Sequence, residues 1–133
     1  MDEVTVRVEC EINPTESEEK VKTAVTNVVG NVSAVIQSFD NVILLTGEAV
    51  GRDSLVKLRN LFRSDRIRDS ARKALYRSIK GKTVSFCLNK QVAFAGHVSF
   101  CEEMAESPLG PIRVAIGSDS PRQLVEWLAE KTC

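Results

Sequence analysis

Eleven basic side chains lie between residues 52 and 82, against three acidic ones, in a chain whose formal net charge is zero. Arginine and lysine at that density suit one task above others, the neutralisation of phosphate oxygens. Arg52, Arg59, Arg63 and Arg66 are spaced by seven, four and three residues, which places them on one helical face. Arg68 and Arg72, and Lys73 and Arg77, are further i, i+4 pairs. Each like-charge pair at that spacing costs a helix about 0.2–0.5 kcal/mol, a cost that bound phosphates would remove. Phe62 and Tyr76 are the segment's only aromatics, too few for a base-stacking platform. The pattern therefore points to contact with a nucleic-acid backbone rather than to base reading. The competing reading is a solvated face neutralised by the acidic first third, which includes Glu16, Glu18 and Glu19.

Other reactive residue types are sparse. His97 is the only histidine, and the sequence places no acid beside it, so an incidental strand histidine is expected. Glu102, Glu103 and Glu106 lack the ligand alternation of a calcium loop. Cys10, Cys87, Cys101 and Cys133 form no Cys-x-x-Cys pair, so no metal site and no cofactor is expected. Cys10 and Cys87 fall in strand patterns, where a cysteine acts as a small hydrophobe. Asn89-Lys90-Gln91 reads as a polar hairpin tip that either reaches a phosphate or is simply a turn. No glycine-rich phosphate loop occurs, and no small-molecule substrate suggests itself.

The elements that must carry these residues follow from periodicity. Val4 to Ile12 alternate apolar and polar, a half-buried strand. Thr15 and Glu18 have capping-box spacing, and Val21, Ala24, Val25 and Val28 give a helix over about 16–29. Residues 33–38 and 42–48 read as a hairpin turning at Asp40-Asn41. The basic segment carries two apolar stripes separated by a step of five residues, from Phe62 to Ile67. That predicts two helices, about 52–63 and 66–79, with Ser64-Asp65 capping the second; one kinked helix is the alternative. Phe86 to Phe100 alternate around Asn89-Lys90-Gln91 as a second hairpin, and residues 101–110 form a loop. Residues 112–116 form a last strand. Ser120, Pro121 and Gln123 then open a closing helix bearing Leu124, Trp127 and Leu128. The expectation is a single two-layer α+β domain, ordered β-α-β-β-α-α-β-β-β-α, with a largely antiparallel sheet and its helices on one face. No apolar run reaches a membrane span, and the acidic amino terminus lacks the features of a signal peptide, so a cytoplasmic location is expected.

Several stretches together resemble a known family: Ile12–Val21, Leu58–Arg72 (LRNLFRSDRIRDSAR), Leu88–Gly96 (LNKQVAFAG), Leu109–Ile112 and Trp127-Leu128-Ala129. They are similar to an uncharacterised family of small archaeal proteins classed as RNA-binding. The resemblance runs from about residue 4 to residue 129 and departs from the family pattern at Glu130, where a proline would follow the alanine. It implies an archaeal origin, an RNA partner, and a fold like that of the ribosomal protein that binds 5S rRNA. It implies no enzymatic activity. The expected RNA contacts are Arg59, Arg63, Arg66, Arg68, Arg72 and Lys73, flanked by Lys82 and Lys90. The alternative function is a homodimeric interaction module with no nucleic-acid role.

Overall fold

A computed structural model describes residues 4–30, 32–39, 42–101 and 111–130, with the Phe39 side chain left aside. β1 (Val4–Ile12) is followed by α1 (Glu18–Val29), β2 (Ser33–Phe39) and β3 (Val42–Val50). A 3-10 turn at Arg52–Leu55 leads into α2 (Val56–Ser64) and α3 (Arg68–Arg77). Then come β4 (Ile79–Lys80), β5 (Thr83–Asn89), α4 (Lys90–Phe94), β6 (Phe100–Cys101), β7 (Pro111–Ser118) and α5 (Pro121–Leu128).

The strands form one antiparallel sheet in the order β2-β3-β1-β7-β5, with β4 and β6 both attached to the outer edge of β5. Alternation on β1 sets its two faces. Val4, Val6, Val8, Cys10 and Ile12 are buried, whereas Thr5, Arg7 and Glu11 are exposed. Val8 lies opposite Gly47 on one side and Val114 on the other, so the register aligns the buried face across the sheet. The helices close that face with Val21, Val25 and Val28 from α1, Leu58 and Phe62 from α2, Ala71 and Leu75 from α3, and Leu124 and Leu128 from α5. Burying each valine, leucine or phenylalanine among these contributes about 1.5–3 kcal/mol. Gly47 is fixed by close approach: a Cβ there would come within 2.8 Å of Val32 Cγ2.

The two-layer α+β reading holds, with local corrections. α1 starts at Glu18 behind Ser17, which makes no side-chain cap bond, so the Thr15–Glu18 capping box does not form. Glu16 is drawn elsewhere: its Oε1 accepts from the Asn13 N–H at 3.0 Å and from Asn13 Nδ2 at 2.8 Å. The expected second hairpin survives only where the two-residue β6 pairs with β5, and α4 replaces its turn and the residues that follow. Asn89 Oδ1 accepts the Val92 N–H at 3.0 Å and caps α4 exactly where the turn was expected to lie. Gly96, at φ 87°, ends this short helical passage. Residues 79–80 leave the expected helix and pair with Val84 and Thr83 around Gly81. The Asp40-Asn41 turn and the loop bearing Glu102, Glu103 and Glu106 lie outside the described residues. Ser120 and Pro121 open α5 as expected, although the serine side chain makes no cap bond.

Candidate nucleic-acid interface

The basic segment divides into two populations, and the helical phase of α3 separates them. Ala71 and Leu75 point into the core. At 100° per residue, Arg68, Arg72 and Tyr76 then fall on one flank, Lys73 points outward, and Arg77 and Ala74 fall on the other flank.

The first flank meets α5. Arg72 pairs with Glu126 and also donates to the Ala129 carbonyl at 3.4 Å, and its guanidinium lies 5.2 Å from the Tyr76 ring centroid. The Tyr76 hydroxyl donates to the same Glu126 carboxylate. From α2, Arg59 pairs with Glu130, donates to the Trp127 carbonyl at 3.0 Å and stacks on the indole at 5.4 Å. Arg52 lies 5.6 Å from the same indole. Arg63 reaches Glu130 at 3.7 Å. The hydrogen bond and charge of Arg59 outweigh slight burial and, aided by Arg63 and Arg68, hold the Glu130 carboxyl below the usual glutamate range. Thus Arg59, Arg63 and Arg72 meet carboxylates, but those of Glu126 on α5 and of Glu130 just past it, not those of the acidic first third.

The second population is Arg66, Lys73, Arg77, Lys80 and Lys82. All five are exposed, and none makes an ion pair among the described residues. Arg77 and Lys80 border a groove of about 890 Å³ on the open face of the sheet, which Arg7 and Arg113 also line. Arg66 stands at the bend between α2 and α3 with φ 57°, in the left-handed region. Its N–H bonds to the Arg63 carbonyl at 3.2 Å, and that of Ile67 bonds to the Phe62 carbonyl at 3.1 Å. This pattern ends a helix with the left-handed position usually held by glycine.

Of the expected contacts, Lys90 is not on the surface. It is 4% exposed, and its Nζ donates to Glu16 at 2.9 Å and to the Glu11 carbonyl at 2.7 Å. There it joins α4 to the chain before α1. Burial opposes charge on Glu16, but the Asn13 amides and Lys90 outweigh it and hold that carboxyl below its ordinary value. Arg59 and Arg72 face α5, Arg63 and Arg68 border it, and Arg66, Lys73 and Lys82 face solvent. Arg77 and Lys80 belong to the exposed set and were missing from the expected contacts.

The comparisons agree with an RNA-related family. The profile of a family described as RNA binding matches residues 5–117. A UPF0201 protein of Sulfolobus acidocaldarius is 42% identical over 127 residues, spanning 96% of this chain and 88% of that protein. This chain belongs to the UPF0201 family. Another member, from Thermococcus onnurineus, is 40% identical over 96% of this chain and 92% of its own length. A crystal structure of a UPF0201 protein from Methanococcus jannaschii superposes with TM-score 0.83 at 28% identity, covering 94% of this chain and 98% of that one.

The fold of this chain also supplies His97 with the acid that the sequence did not reveal. Asp65 Oδ1 lies 3.0 Å from His97 Nδ1, and Asp65 Oδ2 accepts the Val98 N–H at 2.8 Å. Burial opposes the charge on Asp65, but these two hydrogen bonds prevail and hold its carboxyl below the usual range. The pair ties the α2–α3 bend to the segment before β6. Asp65 therefore serves as a tether and does not cap α3, whose N-cap is Ile67. Among the described residues no cluster of three or more His, Cys, Asp or Glu could hold a metal ion, and no helix is long and apolar enough to cross a membrane.

Proposed function

We propose that this protein binds structured RNA without catalysis, gripping the phosphate backbone with Arg66, Lys73, Arg77, Lys80 and Lys82, and with Arg63 and Arg68 beside them. The carrying observation is that these five cations are exposed and lack carboxylate partners among the described residues, in a chain of an RNA-binding family. Unpaired surface cations keep their full charge for a polyanion, whereas Arg59 and Arg72 would first have to break their contacts with α5. Phosphate contact needs no aromatic platform, in keeping with Phe62 being buried in the core. Binding of a short RNA duplex, followed by fluorescence anisotropy across a salt series, tests the reading. About five phosphate contacts give a slope of log affinity against log salt of about −3.5 to −4.5. Micromolar or weaker binding that ignores salt would overturn it.

A homodimer joined through the open sheet face is the second reading. It is favoured by Val35 and Val50, whose register places both on that face and which are 52% and 83% exposed. Light scattering at low and high salt separates the two readings, since a monomer under both conditions removes the dimer.

A further inference from the structure

The open face of the sheet carries a pair of thiols. Cys87 on β5 and Cys101 on β6 are register partners across an antiparallel ladder. Directly opposed residues project to the same face, and both of these line the groove bordered by Arg77 and Lys80. Both are half-buried thiols without a disulfide. Two positions along the same register, the Asn89 N–H donates to the Ser99 carbonyl at 2.9 Å. Since hydrogen-bonded and non-hydrogen-bonded pairs alternate, Cys87 and Cys101 occupy a hydrogen-bonded pair. Such a pair sets the Cα atoms about 5.5 Å apart, inside the range that a disulfide spans. Its Cβ atoms lie about 5.5 Å apart, whereas a relaxed disulfide wants roughly 3.8 Å. Closure therefore requires movement, and β6 is only two residues long at the sheet edge. A bond closed against such geometry is easily reduced.

We propose that Cys87 and Cys101 form a reversible intrachain disulfide, a redox-responsive clasp beside the open-face groove. The oxidant is a small-molecule disulfide such as oxidised glutathione. One cysteine thiolate attacks it and releases one glutathione thiolate. The other cysteine then attacks the mixed disulfide and releases the second. Two protein thiols are oxidised, one glutathione disulfide is reduced, and the two thiol protons end on the two glutathiones. Burial pushes the Cys101 thiol above its ordinary value, which slows its attack near neutral pH. Cys10 is an internal contrast: it lies in the core, where burial pushes its thiol up to about 11 despite nearby Lys90.

The thiol chemistry is independent of the RNA reading, and its test uses the full chain with no RNA present. After incubation with oxidised glutathione, intact mass should fall by about 2 Da, and peptide mapping should join Cys87 to Cys101. Excess reduced glutathione should restore the original mass. Cys87→Ser and Cys101→Ser should each abolish the crosslink while keeping a folded circular dichroism spectrum. Three results would overturn the proposal: no Cys87–Cys101 link in the wild-type chain, a link to Cys10 or Cys133 instead, or a bond that survives excess reduced glutathione. Mapping the wild-type chain decides the matter even if a serine variant misfolds.

Discussion

Replacing Arg66 separates the stability of the basic segment from its charge. Arg66 holds the left-handed position that ends α2, with φ 57°. An L-residue there costs about 1–2 kcal/mol. Glycine removes that cost but loses about 0.5–1 kcal/mol through greater freedom in the unfolded chain. Arg66→Gly should therefore stabilise the protein by about 0.5–1 kcal/mol, which for this length raises Tm by about 2–4 °C. The same change deletes one exposed cation. One phosphate contact contributes about 0.7–0.9 to the salt slope, so RNA affinity should fall about fivefold at 0.15 M salt relative to its 1 M extrapolation. Arg66→Ala keeps the strain and loses the charge, while Arg66→Lys keeps both. Thermal melts followed by circular dichroism and anisotropy titrations on the same three variants provide the assay. A glycine variant that melts lower than wild type would refute the strain argument. One that melts higher but binds RNA with unchanged affinity and slope would remove Arg66 from the interface.

Glu16→Gln breaks a buried ion pair and leaves Lys90 only partly compensated, so it should cost about 3 kcal/mol and lower Tm by about 12 °C in a thermal melt. Glu16 also ties stability to pH: because its folded carboxyl sits below the ordinary value, its contribution is complete above the usual glutamate range and is lost as pH falls through the folded value. Melts on the acid side should show that loss in wild type and a weaker one in Glu16→Gln. Asp65→Ala leaves the Val98 N–H without its acceptor and should cost about 1–3 kcal/mol, read from urea unfolding midpoints.

Much of the scaffold was legible because local signals and burial agreed. The alternation of Val4 to Ile12, the Ser120-Pro121 helix start and the five-residue step from Phe62 to Ile67 each produced the element they implied. The failures have a common physical origin. Lys90 looked like a tip residue because its partner, Glu16, lies 74 positions away in sequence. A five-residue helix is too short to display a 3.6-residue period, so Asn89 read as a turn residue rather than a cap. Arg52, Arg59, Arg63 and Arg66 do not share one helical face, because Arg52 lies in the 3-10 turn and Arg66 at the bend; which cations face solvent is set by where α5 docks, with Arg59 and Glu130 71 positions apart. The Asp65–His97 contact is likewise tertiary. The candidate site was therefore legible as a segment, and its division into paired and exposed cations was not.

In the proposed interface, RNA meets the outward cations of α3 and β4, not the arginines held by α5. Paired salt titrations with one RNA duplex test it directly. Lys73→Gln/Arg77→Gln should keep the wild-type melting temperature and flatten the salt slope by about 1.4–1.8. Arg59→Gln/Arg72→Gln should melt lower, since it breaks the contacts with Glu130, Glu126 and Trp127, yet keep the wild-type slope. A slope unchanged in the first variant and flattened in the second would place the RNA on the arginines beside α5 instead.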